Sequence, residues 1–179
     1  KIFLVSDSKV RLLEVLQATG GDPKRSLGQN FLVNDTVIKK IIEAVDGTKA
    51  QELIEVGPGP GSLTYFLRQK NIPLQLIELD KGWAEYWRKQ NLKMLEADAL
   101  QVDWSKIITP GLVLVSNLPY QISSSLVIDR CLDPLPLTAM VLMFQKEVAQ
   151  KIRGAPKTDH YGFLTVMAQS FWRIETVTD

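Results

Sequence analysis

The chain has 179 residues, 45% hydrophobic and 23% charged, with a net charge of +1. That balance excludes a disordered chain, leaves enough apolar side chains for the core of one ordinary domain, and neither announces nor excludes a nucleic-acid partner. One cysteine, Cys131, and one histidine, His160, rule out a disulfide framework and a Cys/His zinc site and argue against Cys–His catalysis. No apolar run approaches the ~20 residues of a membrane span, and the first residues lack a signal-peptide pattern, which disfavours secretion and membrane residence. The chain opens on Lys1 and closes on Glu175–Asp179, which reads as a strand stopping in mid-element, so a domain cut from a longer chain is expected.

In chain order, Ser8 is placed as the cap of a first helix with apolar Val10, Leu12, Leu13 and Leu16, ended by Gly20-Gly21. A basic loop, Asp22 to Ser26, follows. Asn34 or Asp35 opens a helix whose Val37, Ile38, Ile41, Ile42 and Val45 share one face, closed by Gly47. Residues 53–56 read as the first strand, then a glycine turn, then a helix capped by Ser62 and running to about Gln69. Residues 74–79 are the second strand, and Asp80 caps a helix carrying Trp83, Tyr86 and Trp87. A short strand over 92–95 and a loop over 96–100 follow. The apolar run 112–116 suits a strand buried on both faces. Further elements are a helix over 123–131, a strand over 139–144 and helices over 147–153 and 162–171. The alternation predicts an α/β fold: a doubly wound, mostly parallel sheet with helices on both faces, whose ligands sit beyond the carboxyl ends of the strands.

Three loops at those ends carry chemistry. The first is Gly57-Pro-Gly59-Pro-Gly61. Its spacing is one residue short of a dinucleotide fingerprint, and Pro58 and Pro60 lack the N–H groups that a phosphate cradle aims at its anion. Such a loop suits a nucleoside without phosphate, and S-adenosylmethionine (SAM) is one; the alternative is a plain strand-to-helix turn. Glu78, closing the second strand, is placed to accept from ribose hydroxyls, and Asp98, after the third, from an adenine amine. At the fourth strand end stands Asn117-Leu118-Pro119-Tyr120. The lone pair of an aromatic amine is delocalised into its ring. A site that methylates it helps by accepting hydrogen bonds from the amine, here through the Asn117 carbonyl and backbone carbonyls fixed by Pro119. Tyr120 offers a face for stacking the base. Positioning, rather than an acid–base group, would then supply the rate. The alternative is an ordinary proline turn.

At these residues the sequence closely resembles the KsgA-type ribosomal RNA adenine dimethyltransferases. The shared stretches are Leu27 to Leu32, Glu55 to Gly61, Ile77 to Asp80, Ala97 to Leu100, Asn117 to Tyr120, Phe144 to Val148 and Tyr161-Gly162. The resemblance implies a Rossmann-like SAM-dependent methyltransferase fold over 26–179, preceded by a helical extension and linker over 1–25. It implies cofactor contacts at Asn30, Leu32, Gly57, Gly59, Glu78, Asp98 and Asn117, with Asn117, Leu118, Pro119 and Tyr120 holding the target adenine and no metal. It implies dimethylation at N6 of two adjacent adenines near the 3′ end of small-subunit ribosomal RNA, within a pre-30S particle, by a monomeric cytoplasmic enzyme with no membrane partner. Relatives continue into a Phe-x-Pro-x-Pro-Lys-Val loop and a small helical domain that are not in this sequence, so weak RNA binding and little or no activity are expected of this stretch alone.

Lys24 and Arg25, beside the cofactor loop, are favoured as RNA contacts. Lys39-Lys40 and Arg88-Lys89 read as solvated faces, Trp83 and Trp87 as packing, His160 as a loop residue and Cys131 as a small buried hydrophobe. Phe31 either stacks or packs. The rival readings are the related Erm class, whose members more often carry Ile where Leu118 stands, a non-catalytic RNA-binding factor on the same fold, and a small-molecule methyltransferase. An intact glycine loop and Asn117 weigh against the second, and Asn117 to Tyr120 against the third.

Overall fold

A computed structural model describes residues 8–19 and 31–179. Five strands, β1 (Glu52–Val56), β2 (Leu74–Glu78), β3 (Lys93–Glu96), β4 (Leu112–Asn117) and β5 (Ala139–Met143), form one sheet in the order β3-β2-β1-β4-β5. All four pairings are parallel. The chain winds outward from β1 to β3, then crosses back to β4 beside β1. The β1/β4 boundary is therefore where successive crossovers leave in opposite directions, and a crevice opens there at the carboxyl ends.

Among the described residues seven α-helices flank the sheet: α1 (Ser8–Thr19), α2 (Asp35–Gly47), α3 (Thr64–Leu67), α4 (Lys81–Lys89), α5 (Ser123–Cys131), α6 (Lys146–Ile152) and α7 (Phe163–Phe171). Successive side chains of a strand point to opposite faces, and both faces of the central strands are apolar. Leu53, Val113 and Val115 pack with Ile38, Ile41 and Val45 of α2 and Leu63 and Leu67 around α3. Ile54, Val56, Leu112 and Leu114 pack on the other face with Leu126 of α5, Trp104 and Ile108. Two helices are capped where the sequence predicts. Asn34 accepts from the backbone N–H groups of Thr36 and Val37, and Asp80 accepts from those of Gly82 and Trp83.

Three expectations change. Val10 and Leu13 of α1 are exposed and Leu12 is buried. Ser8, where the described residues begin, is bonded to Asp35, and Arg11 stacks over Tyr65 at 4.1 Å, so α1 is docked on α2 and α3. The helix after the glycine turn starts at Thr64 without a side-chain cap, because residues 59–63 are turns and Gly57, Gly59 and Gly61 hold positive φ. Residues 172–179 join no strand ladder among the described residues. They are tied by side chains instead, Lys40 to Thr178 and Arg153 to Thr176 and Asp179. No helix among the described residues is long and apolar enough to cross a membrane.

Candidate active site

The crevice at the β1/β4 boundary holds a cavity of about 330 Å³. Its wall brings together the glycine loop, Glu78, Asp98 and Asn117 to Tyr120. Four segments far apart in sequence meet because each follows the carboxyl end of a neighbouring strand. Gly57 and Pro119 adjoin in that wall: a Cβ added at Gly57 would lie 3.7 Å from the Pro119 ring. Asn30, Lys24 and Arg25 lie outside the described residues. Leu32 does not line the cavity; its side chain is in the α2 core. Phe31 lines the wall, 3.4 Å from where a Gly59 Cβ would stand.

The glycine loop is pinned from all sides. Its two prolines donate nothing, and each remaining N–H is used within the protein. Gly57 N–H donates to Ile77 O (2.8 Å), Gly59 N–H to Glu78 Oε2 (3.0 Å) and Gly61 N–H to Pro58 O (2.9 Å). The Gly59 carbonyl accepts from the Trp87 indole at 2.7 Å. Gly61 has φ +94°, and a Cβ there would meet the Trp87 ring at 2.5 Å, so only glycine fits. No N–H of residues 57–61 is left for a phosphate.

The ionisable lining of the cavity, among the described residues, is acidic or phenolic: Glu55, Glu78, Asp98 and Tyr120, with no Lys, Arg or His. Glu78 is buried and its second oxygen accepts from Asp80 N–H at 2.9 Å. Burial pushes its carboxyl up, against the pull of the Asp80 and Gly59 N–H groups. Two bonds leave lone pairs on both oxygens for further donors. Asp98 Oδ1 accepts from Leu100 N–H at 2.9 Å, which fixes the loop after β3. Glu55 is a residue that sequence reasoning left without a role. It is only 2% exposed, and its Oε2 accepts from the Thr64 hydroxyl at 2.7 Å. Burial pushes it up to about 8, against the Thr64 bond and reinforced by nearby Glu78. The acid in a Leu-Ile-Glu-Val strand was the available signal, since an acid on a two-sided buried strand needs a reason.

On the opposite wall, Leu118 is buried in the α5 core and anchors the turn. Its N–H donates to Met143 O at 3.3 Å, and Ile122 N–H donates to Pro119 O at 3.2 Å. Tyr120 remains 45% exposed at the rim. Phe144 and Gln145, after β5, complete this wall. Among the described residues no three His, Cys, Asp or Glu side chains gather as a metal site requires.

The sequence matches the family model described as ribosomal RNA adenine dimethylase over residues 21–179. The chain belongs to that family. A protein of Bdellovibrio bacteriovorus named ribosomal RNA small subunit methyltransferase A is 58% identical over 98% of this chain and 64% of its own length. One of the same name from Brucella canis is 37% identical over 94% of the chain and 64% of its own length. The chain thus spans less than two thirds of the length of these two relatives. Among solved structures, a dimethyladenosine transferase from Plasmodium falciparum superposes with a TM-score of 0.67 at 27% identity, covering 78% of this chain and 52% of its own. The 23S rRNA methyltransferase ErmE gives 0.53 at 29% identity, covering 68% and 50%. The Rossmann-like fold expected from the sequence is the fold observed.

Proposed function

We propose that this protein transfers methyl groups from SAM to the N6 amines of two adjacent adenines near the 3′ end of small-subunit ribosomal RNA, giving dimethyladenosines during small-subunit assembly. One observation carries the donor half of this reading. The cavity offers carboxyls, no cationic side chain among its described residues and no free N–H in its glycine loop. That lining offers a dinucleotide's phosphates no partner and suits a nucleoside bearing a positive charge. SAM fits, and supplies a methyl group on a sulfonium. Glu78 is placed to accept from its ribose and Asp98 from its adenine amine, with Gly57 and Gly59 as the floor and Asn30 and the backbone near Leu32 as further contacts.

The acceptor half rests on family membership and on Asn117 to Tyr120. The target base must leave its helix to reach the cavity, and the exposed Tyr120 face gives it a stacking surface. The Asn117 carbonyl accepts from the amine and holds it in line, while Leu118 and Pro119 fix the turn. The chain's residues contribute positioning and hydrogen-bond acceptors, with no proton carrier needed at a shifted pKa. Lys24 and Arg25 stand as RNA contacts in this reading, and a pre-30S particle in the cytoplasm is the setting.

The test is methyl transfer from labelled SAM to undermethylated 30S particles by the full-length protein, with 23S RNA alongside. Label entering adenines of the small subunit is the expected result. Asn117→Ala should lower the rate by roughly 10²–10³-fold, the loss typical of a positioned transition-state hydrogen bond. A rate within a few fold of the parent, or label confined to 23S RNA, overturns the assignment.

A further inference from the structure

We propose that Ser116 is a positioning residue of the methyl transfer: its hydroxyl ties the end of β4 to the end of β1 and so fixes the Asn117 wall of the cavity against the glycine-loop wall. The inference rests on the function proposed above and extends it to what sets the span between donor and acceptor.

The β1/β4 pairing runs in register from Glu52 opposite Leu112 to Glu55 opposite Val115, and the register ends there. Past that pair each strand follows its outer neighbour. β1 keeps to β2, with Val56 opposite Ile77 and the Gly57 N–H donating to Ile77 O at 2.8 Å. β4 keeps to β5, with Ser116 opposite Leu142, Asn117 opposite Met143 and the Leu118 N–H donating to Met143 O at 3.3 Å. The two walls of the cavity are thereby anchored on opposite halves of the sheet. Across the parting, Ser116 Oγ donates to the Val56 carbonyl at 2.5 Å. Ser116 precedes Asn117 and Val56 precedes Gly57, so this bond joins the roots of both walls. Both residues are buried, Ser116 at 1% exposure in a strand that is otherwise apolar up to that point. A hydroxyl there needs a partner inside the protein, and the partner it takes lies 60 residues away on the far side of the boundary.

In the transfer, the N6 lone pair of the adenine bonds to the methyl carbon as the carbon–sulfur bond breaks. The sulfonium becomes a neutral thioether, and an amine proton leaves for solvent. The reacting atoms must be held about 3–3.5 Å apart, and a misplacement of about 1 Å can cost roughly 10²-fold. Ser116 touches neither atom. It acts through Asn117 and Gly57, by holding the distance between them.

The test is single-turnover methyl transfer from labelled SAM to undermethylated 30S particles by the full-length protein. Ser116→Ala removes the tie and little volume. Its rate at saturating SAM and particle should fall about tenfold, while the SAM dissociation constant and the KM for the particle stay within about twofold of the parent's. Each wall is whole in that variant, and only their spacing is freed. Ser116→Thr keeps the hydroxyl and should recover most of the parent rate. Melting curves run in parallel. A Ser116→Ala protein with a lowered Tm but the parent's single-turnover rate, measured well below that Tm, leaves Ser116 a role in folding alone and overturns the inference. A loss of SAM affinity that matches the loss of rate overturns it too, as does a Ser116→Thr protein that melts with the parent and is as slow as Ser116→Ala. All three leave the proposed function standing. A parent protein that binds SAM and methylates no adenine of the particle overturns both.

Discussion

The two walls of the cavity are built to different standards. The glycine loop is held by bonds of 2.7–3.0 Å to β2, to Glu78 and to Trp87. Beyond Asn117, which ends the β4 ladder, Leu118, Pro119 and Tyr120 take bonds of 3.2–3.3 Å, two from backbone N–H groups and one from Ser123 Oγ to Tyr120 O, and the Tyr120 ring is half-exposed at the rim. A small cofactor that returns every cycle gains from a wall already formed, because ordering costs are met in folding. A base carried on a large, slow partner gains from a rim it can reach. The contrast fits the proposed function, in which the closed wall receives the donor and the open one the RNA.

The sharpest way to break this contrast is Gly61→Ala. The new methyl group meets the Trp87 ring and the residue keeps a left-handed φ, so a loss of roughly 3–5 kcal/mol in unfolding free energy is expected in denaturant titrations. A loss under 1 kcal/mol would mean the loop is loose after all. Tyr120→Ala should do the reverse. Stability should change by less than about 1 kcal/mol, while RNA-dependent KM rises by the equivalent of ~1–3 kcal/mol of lost stacking and SAM affinity holds. A matching loss in SAM affinity would place Tyr120 on the donor wall. The smallest effect is predicted for Trp87→Phe, which removes the indole donor to Gly59 O and should cost about 1 kcal/mol with a several-fold weaker SAM affinity. An unchanged melting curve would remove Trp87 from the set of pins.

Most of the frame is legible in the residues because its signals are local. The apolar run of β4, the Asn34 and Asp80 caps and the 123–131 helix each depend on a few neighbours, and they stand where periodicity puts them. What is not legible depends on who lies opposite. Phe31 and Leu32 are adjacent, and only the position of α2 decides that the first faces the cavity and the second the core. Leu12, rather than Val10 or Leu13, is buried because α1 meets α2 and α3 along that line. Residues 172–179 have an extended pattern, but a strand exists only where a partner's ladder receives it. Trp83 and Trp87 read equally as packing, and both are buried; that the second also carries the hydrogen bond that seats Gly59 needs the three-dimensional contact. Glu55 is the largest omission, since a carboxyl's meaning comes from what surrounds it.

Pro58 and Pro60 have a practical consequence for spectroscopy. With two residues silent in any amide-detected experiment, the five-residue hairpin contributes three resonances, and all belong to glycines, whose nitrogens resonate in a sparsely occupied region of the two-dimensional map. Each reports on one tether: to Ile77, to Glu78 and within the turn itself. A titration watched through those three peaks would follow cofactor arrival tether by tether, without isotope editing of the rest of the molecule.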